Sequence, residues 1–99
     1  NYKMKYVIFR KSGLYLPVTF PDHITHSQVT VNWHDKTEVH SAGFFKLNSI
    51  GLPEILSGFS ESLNIGPAKN DLQILTYFYL NSGTAQFIDY ENFDADSSF

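Results

Sequence analysis

One stretch constrains the fold more than any other. Over residues 68–80, stepping about 100° per residue, Ala68, Asp71, Leu72, Ile74, Leu75, Phe78 and Tyr79 gather on one side of a helix, and Lys69, Asn70, Gln73, Thr76, Tyr77 and Leu80 take the other. Asp71 is the intruder on the apolar side. In the first turn its carboxylate would meet the positive end of the helix dipole and unpaired backbone N–H groups. Pro67 suits the first helical position and Asn70 competes as N-cap, so the start is open by one turn. Gly83, after Asn81-Ser82, can take the left-handed conformation that ends a helix. The apolar side needs a cover, and the rest of the chain reads as the sheet that provides it.

Residues 4–10 are aromatic and β-branched and read as a strand, with Lys11-Ser12-Gly13 as a hairpin turn and 14–20 as the return strand. Pro17 cannot donate to a ladder, so that strand is an edge, or its Pro17 side faces away from a neighbour. Such an edge resists accidental pairing, and it also marks a place where a partner could add. Thr25-x-x-Gln28 has capping-box spacing, so 22–28 reads as a single helical turn. Val29, Val31 and Trp33 alternate as a strand, 34–37 is a loop, and 38–47 is the next strand. Gly43 within it suggests a bulge or the close approach of another element, the helix being the first candidate. Residues 48–57 read as a loop, 59–65 as a further strand and 84–90 as a short last one. The expectation is an α+β fold: a mostly antiparallel sheet of about five or six strands, with one main C-terminal helix packed on one face. Residues 1–90 form a single domain, and 91–99 an acidic flexible tail.

Ninety-nine residues allow one small core, here supplied by nine Phe, six Tyr and one Trp. Cysteine is absent, so disulfides and thiolate metal sites are excluded. No apolar run approaches the roughly 20 residues that span a membrane, and no signal-peptide pattern is seen, which points to a soluble, cytoplasmic protein. Basic residues Lys3, Lys5, Arg10 and Lys11 open the chain, whereas only acids, Asp71, Asp89, Glu91, Asp94 and Asp96, follow Lys69. That asymmetry fits two solvated faces, and it makes nucleic acid an unfavoured partner.

Candidate chemistry is sparse. His23, His26 and His40 are of zinc-ligand type, with Asp22, His34, Asp35 and Glu38 nearby in sequence, but His-x-x-His without a further patterned partner is a weak metal signature. Gly58-Phe59-Ser60-Glu61-Ser62 follows the hydrolase elbow only as far as Gly-x-Ser, since Ser62 replaces the second glycine. Residues 58–66 lack both the Gly-Lys-Ser/Thr ending of a phosphate loop and the dinucleotide fingerprint. Gly66-Pro67 opening a helix leaves N–H groups that could hold an anion or a nucleotide phosphate; the competing reading is a loop whose polar side chains satisfy their own backbone. Ser60, Glu61, Ser62, Asn64 and Gly66 are more polar than a covering loop requires, and they form the candidate binding set. No catalytic set and no cofactor are implied.

Residues 4–10 (MKYVIFR), 16–18 (LPV), His26-Ser27, Ser41-Ala42-Gly43-Phe44 and 60–67 (SESLNIGP) together resemble a family of small uncharacterised proteins of tailed phages and prophages. The resemblance runs up to Tyr90 and implies a context: a viral accessory protein acting in the host cytoplasm or packed into a virion. It carries no activity and no site residues. The functional expectation is a non-enzymatic protein, homo-oligomeric, that binds a host protein or a nucleotide-type ligand. A minor virion structural or assembly protein is the first alternative and a small metal-dependent enzyme the second.

Overall fold

A computed structural model describes residues 3–30, 38–56, 58, 60 and 62–81. Strands β1 (Met4–Lys11) and β2 (Leu14–Pro21) form a hairpin closed by Ser12 and Gly13, with φ of 54° and 80°. Two positive φ values in a two-residue loop match the right-handed twist of the flanking strands. A five-residue helix α1 (His26–Thr30) follows, then β3 (Glu38–Leu47), β4 (Pro53–Leu56) and helix α2 (Asp71–Leu80). The described strands make one antiparallel sheet in the order β2-β1-β3-β4.

Both outer edges carry proline where a strand could otherwise add. In the hairpin Lys11 pairs with Leu14, and bonded and non-bonded pairs alternate from there. Pro17 opposite Ile8 and Pro21 opposite Met4 therefore turn their nitrogens outward, away from β1. On the other edge the Asn48 N–H donates to the Leu52 carbonyl at 2.8 Å, so Pro53, opposite Leu47, has the same outward parity. Three of the four prolines thus remove outward-facing N–H donors. The edge position expected for Pro17 is observed.

The central strand explains why the sheet is covered on two sides. Tyr6, Val7, Ile8 and Phe9 are all at most 1% exposed, so successive side chains meet opposite layers. Tyr6 and Ile8 join Tyr15, Phe45, Ile74 and Leu75 under α2; Val7 and Phe9 join Leu16, Phe20 and Ala42 under α1 and the turn around Leu63 and Ile65. A bulge lets β3 serve both layers: Ile8 pairs with Ser41 and Phe9 with Val39, leaving His40 as the extra residue. Val39 and Ala42 consequently face the same cluster, and His40 turns to the Tyr15 ring, 5.0 Å between centroids.

Several expectations are revised. Gly43 is not the bulge, and its close neighbour is not the helix: a Cβ there would lie 2.9 Å from the Tyr6 hydroxyl. Val29 belongs to α1 rather than to a strand, because the capping box carries the helix through Thr30. Within the expected loop at 48–57, residues 53–56 pair with β3, the Asn48 carboxamide accepting from Ile50 and Leu52 to close the connection. The strand expected at 59–65 is a turn with a single bridge between Ser60 and Ile65. Of the two starts left open for α2 the later is observed, with Asn70 as N-cap and Asp71 as the first residue; Leu72, expected on the covered side, is 45% exposed, and the buried stripe is Asp71, Ile74, Leu75 and Phe78. The strand expected at 84–90, Gly83, and residues 31–33 lie outside the described residues, as does the tail. No described helix is long and apolar enough to cross a membrane.

Candidate functional site

Ser60, Ser62, Asn64 and Gly66 of the candidate set lie in a tight turn on the α1 side of the sheet. The Ser60 N–H donates to the Ile65 carbonyl at 2.8 Å and the Ile65 N–H returns to Ser60 at 3.3 Å. The buried Ser60 hydroxyl accepts from the Leu63 N–H, closing the turn from within. Asn64 has φ 58°, the left-handed region that asparagine tolerates better than most residues. Its side chain is exposed, as is that of Ser62. The turn is tied to its surroundings at two points: Ser62 Oγ accepts from the Ser27 N–H at 3.2 Å, and the Gly66 carbonyl accepts from the Ala42 N–H at 3.4 Å. Glu61 lies outside the described residues.

Ser62 thereby completes the start of α1. Thr25 Oγ1 accepts from the Gln28 N–H at 3.2 Å and Gln28 Oε1 accepts from the Thr25 N–H at 2.8 Å, the reciprocal capping box expected from the sequence. The Ser27 N–H that this box leaves over is taken by Ser62 from across the chain.

The three described histidines do different things. His23 is exposed in the turn after β2, beside Lys3, Met4, Pro21 and Asp22 around a surface hollow. His26 is 3% exposed and its Nε2–H donates to the Gly43 carbonyl at 3.0 Å, with the Phe20 and Phe44 rings edge-on at 5.5 and 5.3 Å. Burial pulls its pKa below the ordinary imidazole value; Lys5 adds to this and the Gly43 carbonyl opposes it. His40 packs on Tyr15. Among the described residues, no three His, Cys, Asp or Glu side chains converge to hold a metal ion.

A polar cluster that motif reading does not find sits under α2. Asp71, 1% exposed, accepts from the Tyr6 hydroxyl at 2.5 Å, from Ser41 Oγ at 2.7 Å and from the Ala68 N–H at 2.8 Å. Burial first, then the hydrogen bond and the charge of Asp71, push the Tyr6 phenol far above its ordinary range. The one sequence signal was Asp71 itself, an acid on an apolar stripe. Its carboxylate also occupies the start of α2 and takes the Ala68 N–H, so that helix start is already neutralised from within and is a poor seat for a phosphate. Every buried side-chain nitrogen and oxygen among the described residues has a partner.

Compared with known proteins, the chain matches no protein-family model, no curated protein and no solved structure. Tyr6, Ser41, Ser60 and Asp71 are engaged with one another or with backbone and shielded from solvent, which suits structural roles. The tip of the 62–66 turn presents the exposed Ser62 and Asn64 side chains on a braced backbone.

Proposed function

We propose that the protein is a non-enzymatic binding module and that the 62–66 turn, with the adjoining start of α1, is the contact surface for a protein partner. The observation that carries the reading is the bracing of the turn by Ser60, Ser27 and Ala42, while the Ser62 and Asn64 side chains remain exposed. A contact loop ordered in advance loses little conformational entropy on docking. A nucleotide-type ligand is the weaker choice, because Asp71 opposes a phosphate at the start of α2. The sequence resemblance supplies the context, a phage or prophage accessory protein whose partner belongs to the host. Homo-oligomerisation is part of the same proposal, and the proline-lined edges direct it away from strand pairing.

The test exploits Asn64. Asn64→Gly removes the carboxamide and suits the φ of 58°, so it preserves the turn while deleting its tip. Affinity capture from host lysate with quantitative mass spectrometry should return a saturable partner that wild type enriches and the variant loses, with thermal stability unchanged. Equal enrichment by both proteins would remove the turn from the interface.

A further inference from the structure

We propose that His26 is an acid-operated latch: once protonated, it releases α1 and the Ser60–Ile65 turn from the sheet while α2 stays docked on the opposite face. The inference stands on packing and does not depend on the turn having a partner. α1 has only five residues, and an isolated helix that short has no stability of its own. Polar ties hold it to the rest of the chain through His26 to Gly43 and Ser27 to Ser62, and just ahead of the helix Lys5 Nζ donates to the Ile24 carbonyl at 3.0 Å. Of these, the His26 bond is the buried one.

The surroundings of that ring are hostile to a second proton. Phe20 comes from β2 and Phe44 from β3; Lys5 of β1 and Lys3 ahead of it place their ammonium groups 5.7 and 4.8 Å from the centroid of the same Phe44 ring. Asp22 and His23 stand in the turn that leads into α1, and the Ser60–Ile65 turn contributes the neutral Ser62. A proton on Nδ1 would thus put a buried charge in the field of the Lys5 ammonium. The cost is relieved when α1 lifts and the ring reaches water. Because α2 is held by a separate cluster on the other side of β1, nothing in this step requires it to leave.

The sign follows from the lowered imidazole pKa. The open state takes up the proton more readily than the closed one, so closure is complete above the ordinary histidine range and weakens as pH falls through it. The opening constant then rises by about tenfold per pH unit until the closed state also protonates.

Amide hydrogen exchange followed by NMR between about pH 7.5 and about pH 5 tests this, with rates corrected to protection factors. Protection at Ser27, Gln28, Leu63 and Ile65 should fall at least tenfold while Leu75 and Phe78 in α2 hold theirs, and His26→Gln should abolish the pH dependence. Three results would each overturn the latch: no loss at the four amides, an equal loss in α2, or an undiminished pH response in His26→Gln. Should that variant not fold, the His26 ring resonances of the wild type decide. Their titration midpoint must coincide with the amide loss, and a separate midpoint would reject the proposal.

Discussion

Asp71 shows how a residue that looks misplaced on a helical wheel becomes the anchor of the helix. A carboxylate removed from water costs several kcal/mol unless its lone pairs are filled, and here Tyr6, Ser41 and the Ala68 N–H fill them from three different segments. The cluster therefore fixes where α2 begins and which way it lies on the sheet. Tyr6→Phe leaves Asp71 Oδ2 with the Ala68 N–H but without the phenol donor, and the expected cost is about 1–3 kcal/mol, read as a lower denaturation midpoint. A pH test separates this from simple loss of packing. With the phenol pKa raised in the folded state, the stabilisation is present in full below about pH 10 and declines as pH rises beyond it, because the unfolded chain then releases a proton that the folded chain keeps. Denaturant unfolding at rising alkaline pH should show that decline in wild type and a shallower one in Tyr6→Phe.

At the scale of the elements, the prolines define what the sheet can join. Pro17, Pro21 and Pro53 all sit with their nitrogens outward, so an incoming strand would meet gaps in the row of donors on either edge. Pro17→Val restores an N–H in a residue of high β-propensity, and the variant should associate with rising concentration more strongly than wild type, as measured by analytical ultracentrifugation. Association unchanged from wild type would mean that another feature guards the edge. Much of this level was legible in the sequence: the Ser12-Gly13 turn, the Pro17 edge and the Thr25-Gln28 box are local signals, and local signals survive folding. The bulge at His40, the strand at 53–56 and the burial of Asp71 were not legible. Each is decided by a neighbour distant in sequence: β1 for the bulge, β3 for the short strand, Tyr6 and Ser41 for the acid. The candidate turn was legible as a polar stretch, but its bracing by Ser27 and Ala42 was not, since nothing in 60–66 names those partners.

The described residues form two half-cores sharing one strand. Four consecutive buried residues, Tyr6 to Phe9, alternate between the layer under α2 and the layer under α1, and that run is what distinguishes a sheet covered on both faces from one covered on one. The division makes a quantitative claim about additivity. Ile74 belongs to the α2 layer and Leu16 to the α1 layer, with the sheet between them and no shared cluster. Ile74→Val should cost about 0.5–1.5 kcal/mol and Leu16→Ala about 2–5 kcal/mol. If the layers are energetically separate, the double variant equals the sum to within about 0.3–0.5 kcal/mol. Tyr6 and Asp71 touch, so Tyr6→Phe combined with Asp71→Asn should depart from additivity by at least about 0.5 kcal/mol. Equilibrium denaturation of the two cycles checks both statements. Strong coupling between Ile74 and Leu16 would mean that β1 transmits strain between the layers, and the α1 side could then not open while α2 stays closed.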